Sequence, residues 1–332
     1  MDHRAHNKIT KLKDSQGREI VSHKDMESVV VQNFLSIAEE PMEDRSRFIN
    51  HFTQYIPQLV TREDNHNLNR LASEEDVSEV INEMQNGKAP GPDGFNVDFF
   101  KACWKKLKKD ILEVVEDSRR SKKVLKAFNA SFIALIPKQE KSNTVDGFRP
   151  IALCNVVYKI ISKVITNRLK PLLLALISEE KMGYVEGRQI LNNIIQSHEV
   201  VHSLKRNKQA GMIIQLDLTK AYDKRSWSHI RVVLRAYGFN QNWIRWVMAL
   251  VTTTSFSNLL NGARSRLFTP SRGLEKGDLL SPFLFVLMME GLGRAIKMAN
   301  TEGRIQGTKL TLDGAINTHQ QFVDDTTLRA YP

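Results

Sequence analysis

An α+β fold is predicted from three features of the sequence. Helical periodicity dominates the first two thirds, hairpin chemistry surrounds Asn261-Gly262, and two strand-like runs meet close to residue 325. Helices and strands therefore intermix without a regular βαβ alternation, and a doubly wound parallel sheet is excluded.

Residues 1–72 are polar and mixed in charge, with helices expected over Met26–Glu40 and around Arg45–Tyr55. They read as an N-terminal extension or linker. Ser73-Glu-Glu-Asp76 opens a helix in capping-box style, running to Gly87. Ala89-Pro-Gly-Pro-Asp-Gly94 is a rigid turn, because its prolines fix φ. One long helix is expected from Val97 to Leu125, rich in Lys and Arg; its basic side is either a solvated face or a strip facing nucleic acid. Ser131–Pro137 predicts a short buried strand. Asn155–Leu173 predicts an amphipathic helix, with Val157, Ile160, Ile161, Val164, Ile165 and Leu169 at helical spacing. Gly187–Leu204 predicts another, which completes a second region over residues 73–205. In the third region, residues 206–332, Met212–Leu218 reads as a near-continuously apolar strand. Ser255–Asn261 and Ser265–Pro270 form a hairpin, and Ser281–Met298 is a buried helix. Ile316–Val323 and Thr326–Tyr331 are strands meeting at Asp324–Asp325.

The chain has 332 residues, 41% of them hydrophobic and 26% charged, which suits a folded protein with a sizeable core. Its net charge of +11 and pI near 9.5 favour a polyanionic partner, nucleic acid first and an anionic membrane surface second. Cys103 and Cys154 lack CxxC partners and are expected as reduced thiols. The stretch from Met1 to Gly17 is polar and basic, unlike a secretory signal. The apolar stretches Pro171–Ile177 and Phe283–Met289 are too short to span a bilayer. The expectation is an intracellular protein, in nucleus or cytoplasm, with no membrane partner.

Asp217 follows Ile-Ile-Gln-Leu, and Asp324–Asp325 follows Gln-Phe-Val. An acid buried at a strand end is costly unless paired, hydrogen-bonded or bound to a cation. Two strands side by side would converge these acids, an arrangement suited to two Mg²⁺ ions about 3.5–4 Å apart. Taken alone, an Asp-Asp pair in a hairpin is more often ordinary turn chemistry.

The surrounding residues are more specific. Asp217-Leu-Thr-Lys-Ala-Tyr-Asp223 resembles motif A of reverse transcriptases, Phe322-Val-Asp-Asp325 motif C, and Gly273-Leu-Glu-Lys-Gly-Asp-Leu-Leu-Ser-Pro282 motif B. Lys88-Ala-Pro-Gly-Pro-Asp-Gly-Phe95, Leu135-Ile-Pro-Lys138, Phe148-Arg-Pro-Ile151 and Tyr184-Val-Glu-Gly-Arg-Gln189 resemble further blocks of LINE-type (non-LTR) retrotransposon enzymes, with a plant-like flavour. The resemblance covers essentially the whole chain. It implies a right-hand polymerase, with helical fingers over 73–205, an antiparallel palm sheet over 206–332 cut off after motif C, and no thumb.

The same resemblance implies the roles. Asp217 and Asp324 would hold two Mg²⁺ ions, for which Mn²⁺ could substitute, with Asp325 in support and the Leu218 carbonyl as a further ligand. Tyr222 is similar to the aromatic that crowds out a 2′-hydroxyl and so selects dNTP; the plainer reading is a packed ring, and both can hold. Lys138 and Arg149 would reach the triphosphate. Gly277 and Lys276 would lie against nucleotide and template. The implied partners are an RNA template, a DNA primer and dNTP, and the implied activity is RNA-directed DNA polymerisation. The alternative is an inactive nucleic-acid-binding remnant of a decayed retroelement.

In motif B, Glu275, Lys276 and Leu279 stand where the family pattern has Arg or Pro, Gln and Pro. His198-Glu-Val-Val-His202 spells the HExxH of zinc peptidases. Its histidines are expected on or beside an apolar stripe (Leu191, Ile194, Ile195, Val201), where packing explains them, and the next histidine, His229, belongs to a separate helix. Gly91-Pro-Asp-Gly94 lacks the GK[ST] of a P-loop, and the four tryptophans read as packing residues.

Overall fold

The computed structural model describes residues 8–139, 142–206, 208, 210–309 and 316–330. A short ladder of β1 (Leu12–Lys13) with β2 (Glu19–Ile20) precedes α1 (His23–Ala38), α2 (Ser46–Thr53), α3 (Arg62–Asn69) and α4 (Glu74–Glu83). Both α3 and α4 open on capping boxes, Thr61 with Asp64 and Ser73 with Asp76. Helix α4 ends before the expected Gly87, because Met84 already has extended backbone.

The single helix expected from Val97 is two helices, α5 (Val97–Ala102) and α6 (Trp104–Ser121), parted at Cys103. No glycine or proline marks the break, so periodicity runs through it. Several of the basic residues there are engaged within the chain: Lys101 donates to the Met84 carbonyl at 2.7 Å, and Lys108 pairs with Glu74 at 2.6 Å.

Next come β3 (Ala130–Pro137), β4 (Phe148–Cys154), α7 (Val156–Leu169), α8 (Leu173–Leu176), α9 (Ile190–Arg206), β5 (Met212–Leu216), α10 (Trp227–Tyr237) and α11 (Gln241–Thr252). The remaining elements are β6 (Ser255–Leu260), β7 (Ala263–Arg264), α12 (Ser281–Thr301), β8 (Thr308–Lys309), β9 (Ile316–Asn317), β10 (His319–Phe322) and β11 (Asp325–Ala330). The fold mixes helices with largely antiparallel sheets, as an α+β reading requires. One sheet has the order β4-β3-β6-β7, with β3 and β6 parallel; the other has the order β10-β11-β5 and is antiparallel throughout.

Helix α7 departs from expectation. It is not amphipathic in place but buried on most sides, with Ile160, Ile161 and Ile165 inaccessible to solvent, because α3, α4, α6 and α11 surround it. The same core takes Trp243 and Trp246 from α11 and Phe285 and Leu287 from α12. Trp246 satisfies its indole by donating to Ser118 Oγ at 3.0 Å. A smaller core forms where Ile9, Leu12, Met26, Val30 and Val31 cover Ile133, Leu135 and Leu260 of the first sheet.

Two further expectations are corrected. The stripe of Leu191, Ile194 and Ile195 on α9 is exposed, as are His198 and His202; the buried face of this helix includes Val200 instead. The strand expected over Ile316–Val323 is broken at Thr318, and β11 begins at Asp325. The expected end of that last strand, Tyr331, lies outside the described residues. No helix among them is long and apolar enough to cross a membrane.

Candidate active site

The second sheet fixes where the acids fall. Its register pairs Thr326 with Leu216 and Phe322 with Asp325, so one further antiparallel step sets Asp217 opposite Asp325. Asp324 occupies the two-residue turn beside Val323, whose φ of +54° is unusual for a β-branched residue. Asp217 and Asp325 are exposed and Asp324 is half-buried. The Asp325 carboxyl is pushed above its ordinary range, first by partial desolvation and then by the like charges of Asp324 and Asp217. Three carboxylates therefore share one end of the sheet. Among the described residues, no three His, Cys, Asp or Glu side chains are gathered closely enough to hold a metal ion as placed.

Beside this end lies a cavity of about 510 Å³. Lys138, Arg149, Tyr222, Lys276 and Asp324 line it, so five residues singled out in the sequence come together. Asp217, Leu218, Asp325 and Gly277 do not line it. Gly277 is nevertheless a close approach: at φ +108°, a Cβ would stand 3.1 Å from the Ala152 carbonyl. There β4 docks on the motif B segment, with the Ala152 amide donating to the Lys276 carbonyl at 3.2 Å.

Charges that sequence reasoning did not pair are paired here. Lys276 Nζ sits 2.5 Å from Asp223 Oδ2, and Lys220 lies 2.8 Å from Asp146. The first pair ties motif B to motif A, and the second ties motif A to the β3–β4 connection. Tyr222 stacks on Phe285, with ring centroids 4.6 Å apart at 10°. Burial drives its hydroxyl pKa far up, and a hydrogen bond with Tyr184 adds to that. The plain packing reading of Tyr222 thus holds, and the ring still faces the cavity.

Glu275 is buried behind the cavity. Cys154 Sγ donates to its Oε1 at 3.2 Å, while its Oε2 has no partner. Burial and nearby Asp278 raise its pKa to about 7. Asp278 is held by Ser162 Oγ, the Ser281 amide and Ser281 Oγ at 2.5, 2.9 and 2.9 Å, which fixes the start of α12. The signal for Glu275 was its departure from the family pattern. For Asp223 and Lys220 no signal beyond membership of motif A existed.

Fold and site together define a chain of the polymerase class that copies RNA into DNA. The chain belongs to the reverse transcriptase (RNA-dependent DNA polymerase) family, whose profile matches residues 136–330. It is similar to the uncharacterized 149 kDa protein of transposon TX1 from Xenopus laevis, 25% identical over 216 residues, covering 65% of this chain and 16% of that protein. It is also similar to the Pol polyprotein of the type-2 retrotransposable element R2DM from Drosophila melanogaster, 28% identical over 195 residues, 59% of this chain and 18% of that one. An uncharacterized mitochondrial protein of Arabidopsis thaliana is 43% identical over 68 residues, 20% of this chain and 56% of the relative. These relatives mark the chain as a LINE-type reverse transcriptase domain that spans only a fraction of the retrotransposon proteins it matches.

Proposed function

We propose that this chain is the fingers and palm portion of an RNA-directed DNA polymerase, joining dNTP to the 3′-hydroxyl of a DNA primer on an RNA template. The palm is the β10-β11-β5 sheet and its helices, within residues 206–332; residues 73–205 are fingers-like, and residues 1–72 extend them. The observation that carries the reading is the register that sets Asp217 opposite Asp325, with Asp324 in the adjoining turn, at the mouth of a cavity bearing Lys138 and Arg149.

The donor set suits Mg²⁺, because carboxylates are hard oxygen ligands and their mutual repulsion is relieved by a cation. Asp217, Asp324 and the Leu218 carbonyl would hold it, with Asp325 supporting. Bound Mg²⁺, or Mn²⁺ in its place, supplies activation of the attacking hydroxyl and charge neutralisation on the phosphates.

Lys138 and Arg149 bind and orient the triphosphate, the arginine through its planar fork. Tyr222, held flat against Phe285, offers its ring to the sugar and leaves no room for a 2′-hydroxyl. Lys276 is held by Asp223 and stays beside the nucleotide as a positioned cation. Gly277 keeps the motif B backbone close to β4.

The test is Mg²⁺-dependent dTTP incorporation on poly(rA)/oligo(dT) by the full chain. Asp324→Ala is expected to lower the rate by about a thousandfold or more, as loss of metal-borne charge stabilisation implies. Incorporation that survives Asp324→Ala, or salt-sensitive binding with no extension by the wild type, contradicts the reading; the latter outcome is that of a nucleic-acid-binding remnant.

A further inference from the structure

Residues 180–184 form a strap along the open edge of β10. The Gln321 amide donates to the Glu180 carbonyl and the Met182 amide to the Gln321 carbonyl, both at 2.9 Å. The strap is anchored from behind. Lys181, inaccessible to solvent, lies 3.6 Å from equally buried Glu290, and Arg188 donates to the Lys181 carbonyl at 2.7 Å. Gly183 faces the turn of the acidic hairpin so closely that a Cβ would stand 2.8 Å from a Val323 methyl.

The next residue is Tyr184, whose φ of +61° is one of few such values at a non-glycine position among the described residues. Backbone held in that region persists only where its surroundings fix it, and an outlier beside a site is a reason to ask what it places. It turns the Tyr184 ring edge-on to Phe283, with centroids 5.9 Å apart. Phe283 lies two residues from Phe285 on α12, and Tyr222 stacks on Phe285. The hydroxyls of Tyr184 and Tyr222 are hydrogen-bonded.

We infer that Tyr184 is a positioning residue for nucleotide sugar selection: it latches the Tyr222 ring against Phe285 and ties that ring, through Gly183, to the turn bearing Asp324. The inference rests on the polymerase reading, in which Tyr222 meets the sugar. Two contacts define the ring. Stacking sets its plane, and the hydroxyl latch sets its position within that plane. Without the latch the ring slides on Phe285, and the space denied to a 2′-hydroxyl opens.

The test is equilibrium displacement of a fluorescent dATP from the full chain in Mg²⁺, with dATP and ATP as competitors. Wild type is expected to favour dATP. Tyr184→Phe lowers the dATP/ATP preference by about three- to tenfold, the factor one hydrogen bond supplies. Tyr222→Phe removes the same bond and lowers it equally, and the double variant is no worse than either single change. Tyr184→Ala lowers it further, and thermal melting verifies that every variant is folded. Two results overturn the inference while leaving the polymerase reading intact: an unchanged preference in Tyr184→Phe while Tyr222→Ala abolishes selection, or additive losses in the double variant. A chain from which neither nucleotide displaces the probe overturns the polymerase reading itself, and the inference with it.

Discussion

The two sheets of this molecule are written in nearly the same residues and meet opposite fates. In β3, Ile133 and Leu135 are about as buried as side chains become, roofed by α1 and the strands before it. In β5 the run Met212-Ile-Ile-Gln-Leu216 is exposed along its whole length; Ile213 and Ile214, on opposite faces, are 45% and 39% accessible. Strands apolar on both faces belong to sheets covered on both sides, and within this chain β5 is an uncovered edge. The first sheet is therefore scaffold, held by burial. The second is held by its ladder and by polar ties such as Arg329, which donates to Asn317 Oδ1 and Ser197 Oγ at 2.6 and 2.5 Å. The candidate site lies at the end of the less covered sheet and borrows rigidity from its neighbours.

That contrast can be broken by substitution. The largest effect on stability is expected in the first sheet: Ile133→Ala removes a buried side chain and costs about 2–5 kcal/mol in denaturant unfolding. A cost below about 1 kcal/mol would mean that the sheet is not the scaffold described.

The second expectation sharpens the boundary between scaffold and site, where Glu275 is buried. Its carboxyl is ordinarily half-protonated at 4.5 and here at about 7. Between those values the folded chain keeps a proton that the unfolded chain has lost, so this group makes stability fall as pH rises from 4.5 to 7. The loss is at most about 3 kcal/mol. Glu275→Gln should remove that slope and be relatively more stable at pH 8 than at pH 5. Parallel pH–stability curves for the two proteins would show that Glu275 is not buried.

The smallest effect belongs to β5. Ile214→Ser should change unfolding by no more than about 0.5 kcal/mol, as surface substitutions do. A loss comparable to that of Ile133→Ala would show that the face is covered.

The sequence was informative where a short-range mechanism writes itself into neighbouring residues. Ser73 and Asp76 announce a cap, Asn261-Gly262 a hairpin, and Phe322-Val-Asp-Asp325 the turn between β10 and β11. It was uninformative where the outcome depends on distant partners. An apolar periodicity in α7 and an apolar stripe in α9 look alike, yet one is surrounded by four helices and the other has nothing over it. The break at Cys103 has no local signature. At the site, the resemblance gave the residue types, and the cavity does gather Lys138, Arg149, Tyr222, Lys276 and Asp324. The Lys276–Asp223 pair and the Tyr184 strap were hidden, because both depend on which elements the fold brings together.

The central claim is that a divalent cation binds where Asp217, Asp324 and Asp325 meet. The most direct measurement replaces Mg²⁺ with Fe²⁺ and maps the backbone cuts made by locally generated hydroxyl radicals. The account predicts cuts near residues 217 and 324, suppressed by excess Mg²⁺ and lost in Asp217→Ala. Cuts centred on His198 and His202 instead, or cuts near the acids that persist in Asp217→Ala, would contradict it.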